Sequence, residues 1–200
     1  MVEEIERCHL LGVSSVVIHP GFHGGRGEME GLSRVSAAIN SILTKTKNLS
    51  VKIILETTAG QGTSLGNRFE HFAILFDRIE EVHRLGLCVD TCHIFAAGYD
   101  LRDRKAYEKM VRAVQDSVGL EKLSLFHLTD SLKEMGSRVD RHGHIGEGYI
   151  GRQAFRFIMR DERFSRVPKV IETPKESAFS GEDHADRKNL ALLRRLWRGV

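Results

Sequence analysis

Residues 51–90, VKIILETTAGQGTSLGNRFEHFAILFDRIEEVHRLGLCVD, hold one complete strand–helix–strand unit. Val51 to Leu55 and Leu85 to Val89 are short continuous apolar runs, the pattern of strands buried on both faces of a parallel sheet. Between them Leu65, Phe69, Phe72, Phe76 and Ile79 recur at helical spacing after a glycine-rich stretch from Gly60 to Gly66, which predicts an amphipathic crossover helix. The alternation continues outward in both directions. Val16 to Ile18, Leu123 to Phe126 and Lys169 to Ile171 read as further strands. Helical spacing returns at Leu32, Val35, Ile39, Ile42 and Leu43, then at Tyr107, Met110, Val111 and Val114. It returns again at Phe155, Ile158 and Met159, and at Leu190, Leu193, Leu196 and Trp197. A short helix around Val2, Ile5 and Cys8 opens the chain. About five βα units with right-handed crossovers make either a doubly wound sheet or part of a (β/α)8 barrel.

With 200 residues, 41% hydrophobic and 28% charged, the chain has ordinary globular composition and a length that suits one domain rather than two. No apolar run approaches the roughly 18 residues that cross a bilayer. The opening Val2-Glu3-Glu4-Ile5-Glu6-Arg7 is too acidic for a signal peptide, so a soluble, cytoplasmic protein without membrane contact is expected. Cys8, Cys88 and Cys92 form no C-x-x-C pair, which argues against a disulfide framework and a thiolate zinc ribbon. A net charge of +3 permits an anionic partner without demanding one. Arg194, Arg195 and Arg198 read as the solvated face of the last helix.

Metal-ligand side chains stand at the end of every apolar run: His19, Glu56, Asp90, His127 and Glu172. The chain has 27 Asp plus Glu and 10 His among 200 residues. Five such hits by chance have a probability of about 0.0002, or about 0.02 if each position is allowed to slip. In parallel α/β folds these strand ends open on one crevice, where sites are built. Three carboxylates gathered there repel and raise one another's pKa unless cations neutralise them. Histidine with carboxylate suits zinc or manganese and leaves positions open for water. Two local pairs extend the set: Asp90 with His93, leaving a strand into a loop, and Asp140 with His142 flanking Arg141. In an extended segment, residues i and i+2 face the same side, so the second pair suits chelation of one ion.

These residues lie in stretches that resemble the endonuclease IV family of apurinic/apyrimidinic (AP) endonucleases. The matching stretches are Val17-Ile18-His19-Pro20-Gly21, Leu55-Glu56-Thr57-Thr58-Ala59-Gly60-Gln61-Gly62, Val89-Asp90-Thr91-Cys92-His93 with Ala96 to Leu101, Gly136 to His142, Gly146-Glu147-Gly148 and Ile171-Glu172-Thr173. The resemblance runs from Val2 to about Trp197. It implies a TIM-type barrel, of which the C-terminal five βα units are present here. It further implies a three-zinc site that cleaves double-stranded DNA 5′ to an abasic nucleotide during base excision repair, with manganese as an alternative ion. By position, His19 and Glu56 resemble ligands of one zinc; Glu56 bridges to a second that also takes Asp90, His127 and Glu172; His93, Asp140 and His142 would hold the third. Family members begin with about three more βα units, which supply a further zinc-binding histidine and most of the loops that enter the DNA. Residues 1–200 are therefore expected to be one domain, incomplete at its N-terminus. Thr129 stands where the family commonly has Asn.

The chemistry is consistent with that implication. Clustered metals supply a nucleophile at neutral pH, spread charge on the phosphorus and stabilise the leaving oxygen. Glu56 is the expected catalytic residue, as the bridging carboxylate that orients the nucleophile. Gln61, in a glycine loop, and Arg141, between two ligands, are the candidate DNA contacts, and no obligate protein partner is expected. Two rivals remain. Sugar isomerases and epimerases related to xylose isomerase use one metal at four strand ends, which Glu56, Asp90, His127 and Glu172 would fit, leaving four other ligands without a role. A remnant that binds metal or DNA without turnover is the other.

Overall fold

The computed structural model describes residues 1–175 and 184–199. Five parallel strands form one sheet in the order β1-β2-β3-β4-β7: β1 (Ser15–Ile18), β2 (Lys52–Glu56), β3 (Leu85–Asp90), β4 (Leu123–Leu128) and β7 (Lys169–Ile171). All pairings are parallel and follow chain order, as successive right-handed βα units require. The helices are α1 (Val2–Leu10), α2 (Glu28–Lys45), α3 (Phe69–Arg78), α4 (Thr91–Ala96), α5 (Arg104–Ser117), α6 (Arg152–Arg160) and α7 (His184–Arg198). A two-residue hairpin, β5 (Asp130–Ser131) with β6 (His142–Gly143), stands outside the main sheet.

The apolar stripes of the helices cover the sheet. Leu32, Ile39 and Leu43 of α2, Phe69, Phe72 and Leu75 of α3, and Tyr107, Val111 and Val114 of α5 join Ile53, Leu55, Leu87, Val89 and Phe126 in one buried cluster. Each large side chain buried this way contributes about 1.5–3 kcal/mol. The central strand β3 is buried at all six positions. The edge strands differ from the expectation of burial on both faces: β1 is half-buried throughout and Val170 of β7 is exposed, because among the described residues each has a strand neighbour on one side only.

Other differences have local causes. Leu65 lies outside the helix that its spacing suggested, and α3 starts at Phe69. The Leu65 N–H donates to the Gly21 carbonyl at 2.8 Å, so that backbone is committed to pairing two loops. Arg84 is buried beneath the sheet and donates to the carbonyls of Thr46 (3.0 Å) and Val51 (3.0 Å), fastening the end of α2 to the start of β2. All three cysteines are buried and free. Among the described residues, no helix is long and apolar enough to cross a membrane.

Candidate metal centre

The centre lies where the strands end. Glu56 closes β2, Asp90 closes β3, and His127 is the penultimate residue of β4, directly opposite Asp90 in the register. Strand pairing therefore sets Asp90 beside His127, and Glu56, which pairs with Cys88, faces the same side two residues earlier along β3, before any loop contributes. Asp90 also caps α4: its Oδ1 accepts the His93 N–H at 2.8 Å. The segment expected as a loop is this short helix, and the cap turns His93 back over the sheet.

Two imidazoles are fixed by backbone carbonyls. His93 donates from Nδ1 to the Thr57 carbonyl at 2.8 Å, and His142 donates from Nδ1 to the Glu172 carbonyl at 2.8 Å. Since a carbonyl only accepts, Nδ1 carries the proton in both rings and Nε2 is turned toward the centre. The two Nε2 atoms stand 3.4 Å apart, each 3.1 Å from an oxygen of Asp140. Asp140 and His142 thus do share one side, as their spacing suggested. A carbonyl partner of this kind is also what holds metal-binding histidines in orientation.

Among the described residues, three donor sets consist of histidine and carboxylate alone. Glu56, Asp90, His127 and Glu172 bring one donor atom each within 4.8 Å of one another; so do His93, Asp140 and His142; so do His19, Glu56 and His93. Glu56 belongs to two of them: its Oε1 faces His127 Nδ1 at 2.8 Å and its Oε2 faces His19 Nε2 at 3.4 Å. Glu172 approaches His127 Nδ1 at 3.2 Å. The structure therefore gathers all eight residues singled out as ligands.

The electrostatics fit a cation. Four carboxylates converge here, and Asp90 Oδ2 is buried without a hydrogen-bond partner. Burial, the largest influence on Asp90, pushes its carboxyl up. Burial disfavours the charged form of His93, but the charge of Asp90 and hydrogen bonds to Asp140 and Glu56 outweigh it and push the group up to about 12. His142 is likewise pushed up to about 9, with burial opposed chiefly by the hydrogen bond to Asp140. Burial also opposes ionisation of Glu56, yet hydrogen bonds from His127, His19 and His93 hold its carboxyl well below the usual range. In the absence of an ion, protons on imidazole offset the negative charge; a divalent cation at hard oxygen and imidazole donors replaces them. Thiolate ligation does not compete, because burial pushes the Cys92 thiol up to about 11 and Cys88 higher still.

Gln61 and Arg141 sit on the rim. Gln61 Oε1 accepts the Asp140 N–H at 3.3 Å, and the Arg141 guanidinium donates to the Asp140 carbonyl at 2.6 Å. Both are exposed, and both brace the strand of chain that carries Asp140.

Sequence reasoning missed the residues that hold these loops. Asp130 is fully buried, and its carboxylate accepts four backbone N–H groups: Ser131 (2.8 Å), Ile150 (2.9 Å), Gly146 (2.9 Å) and Gly151 (3.2 Å). The loop wraps so closely that a Cβ on Gly148 would lie 2.3 Å from the Ser131 carbonyl oxygen and 2.6 Å from Asp130 Oδ1. Asn189 of α7 accepts the Ile145 N–H (3.0 Å) and donates to Thr173 Oγ1 (3.0 Å), tying the His142 loop to the residue after Glu172. Thr129, where an Asn was expected, donates to the Gly143 carbonyl at 3.2 Å, within the same hairpin. The signal that could have exposed Asp130 is its place three residues after His127, together with the Gly146 and Gly148 pair.

A family model described as a xylose isomerase-like TIM barrel matches residues 1–196. The "Probable endonuclease 4" of Chloroflexus aggregans is 55% identical over 197 residues, covering 98% of this chain and 67% of that protein. The crystal structure of endonuclease IV from Thermus thermophilus superposes with a TM-score of 0.82 at 31% identity, covering 100% of this chain and 67% of that one. A D-tagatose 3-epimerase-like protein, 20% identical with a TM-score of 0.76 over 100% of this chain and 67% of its own, shares the fold. The chain thus spans about two thirds of each protein compared. Matched by that family model over residues 1–196 and 55% identical to a probable endonuclease 4 across 98% of its length, the chain belongs to the xylose isomerase-like TIM-barrel family and, within it, to the endonuclease IV family.

Proposed function

We propose that this chain is an AP endonuclease: a metal-dependent phosphodiesterase that hydrolyses double-stranded DNA 5′ to an abasic nucleotide in base excision repair, with residues 1–200 acting as one unit. Zinc is the ion that the donors suit best, and manganese also suits them. His19 and Glu56 would hold one ion, Glu56 with Asp90, His127 and Glu172 a second, and His93, Asp140 and His142 a third. Bound there, the ions supply Lewis-acid stabilisation of the phosphate and a nucleophile at neutral pH.

The chain's own residues set the geometry. Glu56 joins two donor sets through its two oxygens, so it fixes their spacing and is the residue whose charge matters most at the reacting phosphate. Thr57 and the Glu172 carbonyl hold His93 and His142 in register. Gln61 and Arg141, on the exposed rim, are positioned for backbone phosphates of the DNA.

The observation that carries this reading is the surplus of ligands: His93, Asp140 and His142 make a donor set beside the four-residue one. The four residues Glu56, Asp90, His127 and Glu172 would by themselves serve a one-metal sugar isomerase or epimerase, and that is the second reading. Metal content and nicking of a duplex with one abasic site, measured under single-turnover conditions with and without chelator, separate the readings. More than one ion per chain and chelator-sensitive nicking are expected. One ion with ketose interconversion would favour the isomerase, and bound ions without turnover a binding remnant.

A further inference from the structure

Phe22 is three residues beyond His19 and is 70% exposed, the most open aromatic side chain among the described residues. It stands at the mouth of a cavity of about 200 Å³ whose lining includes His19, His93, Asp140 and Gln61. A large apolar ring held in water beside a charged centre has no packing role on this chain.

Its placement is fixed rather than loose. Phe22 bridges Ser64 in antiparallel fashion, the His23 N–H donates to the Thr63 carbonyl at 2.9 Å, and the Gly21 carbonyl accepts from Leu65 at 2.8 Å. Gly21 has φ +94°, a turn that lets the chain leave His19 and lift the next residue outward. Two loops are thus laced together beneath the ring, so presenting it to a ligand costs little further ordering.

We propose that Phe22 is a substrate-contacting residue whose ring stacks on the base beside the abasic nucleotide and so holds the scissile phosphate over His19 and Glu56. The proposal rests on the AP endonuclease reading. Every base has a π-face, so an aromatic ring at this position serves any flanking sequence. A missing base leaves the neighbouring stack open, which makes insertion of an apolar side chain cheaper there than in intact duplex.

The test uses the full chain loaded with metal, the variants Phe22→Ala and Phe22→Trp, and Trp197→Ala as a control, an exposed aromatic of α7. Duplexes carry a stable abasic analogue, or none, with 2-aminopurine as the flanking base. Phe22→Ala should weaken abasic-duplex binding about ten-fold at every salt concentration. The slope of affinity against salt should not change, because no phosphate contact is lost. Metal content should stay at the parent level, the change in 2-aminopurine fluorescence on binding should disappear, and Phe22→Trp should restore it. Trp197→Ala should behave as the parent. Binding of Phe22→Ala within about two-fold of the parent, or an unchanged fluorescence response, would overturn the proposal. Loss of metal in Phe22→Ala would also overturn it, making the ring a support for His19. If the parent chain does not prefer abasic to intact duplex, the AP endonuclease reading itself fails, and the two failures are told apart by that comparison.

Discussion

The centre is built in two ways. Glu56, Asp90 and His127 stand on the inner strands β2, β3 and β4, are buried, and are placed by sheet register alone. His19 and Glu172 follow the edge strands, while Asp140 and His142 come from the segment around β6; the side chains of His19, Glu172 and Asp140 are 40–46% exposed. This outer set has no sheet on both sides to hold it and depends on hydrogen bonds that reach across sequence: Asp130 to the 146–151 loop, Asn189 to Ile145 and Thr173, Gln61 to Asp140. Inner ligands are therefore expected to survive changes that release outer ones. That difference teaches that the three donor sets differ in robustness even though their donors are similar.

The largest test is Asp130→Ala. It leaves four backbone N–H groups without their acceptor in a buried loop, so stability should fall by about 4 kcal/mol in urea unfolding. In the fraction that stays folded, the ion at His93, Asp140 and His142 should be lost before that at Glu56, Asp90, His127 and Glu172. A loss below about 1 kcal/mol would mean that water replaces the carboxylate without cost and the loop holds itself.

Next in size is Glu56→Gln. Cleavage of abasic duplex should fall by at least about 100-fold while binding persists, because the shared charge is removed but not the shape. Cys92→Ser should remain active; its thiol donates to the Arg141 carbonyl at 3.5 Å, a bond that a serine hydroxyl also makes. Equal losses in the two variants would show that the packing of α4, not the bridging carboxylate, governs the rate.

Gln61→Ala probes the outer set more gently. It removes the acceptor for the Asp140 N–H on an exposed loop, and support of that kind changes metal affinity by about ten-fold. Competition with a chromogenic chelator should show weakened retention of one ion and unchanged retention of the others. Uniform weakening would mean that the sites are coupled more tightly than the division into inner and outer donors allows.

What was legible in the sequence is the strand ends, inner and edge alike, rather than the supports of the loops. Continuous apolar runs are read directly as buried strands, so the positions of Glu56, Asp90 and His127 emerged from periodicity. Of the outer residues, His19 and Glu172 emerged from the same periodicity, and Asp140 and His142 from their i, i+2 spacing. Asp130 and Asn189 stayed hidden, since one buried carboxylate looks like any other acidic residue until the loop that surrounds it is seen. The helix after Asp90 was hidden for a related reason: Thr91 to Ala96 is six residues, too short for a 3.6-residue period to show. Edge exposure was equally invisible, because Val16 to Ile18 and Lys169 to Ile171 have the same composition as inner strands.

The smallest effect concerns those edges. Among the described residues, β1 and β7 each leave one row of backbone N–H and C=O groups without a strand partner in the sheet, and Val170 adds an exposed apolar side chain to β7. Such edges pair with other chains, so this 200-residue chain should self-associate at micromolar concentration and above, visible as a concentration-dependent sedimentation coefficient. A charge on an edge opposes that pairing. Val170→Lys should therefore move the sedimentation profile toward the monomer while leaving the ions at Asp90, His127 and His93 in place, because it alters an edge and not the inner strands. His19 and Glu172, which follow these two edges, should gain order in whatever assembly covers them, so the parent chain should retain the ion shared by His19 and Glu56 better when concentrated than when dilute. A parent chain that sediments as one monomeric species across the range, with metal content independent of concentration, would show that the open edges are inert and that the outer ligands need no neighbour to hold them.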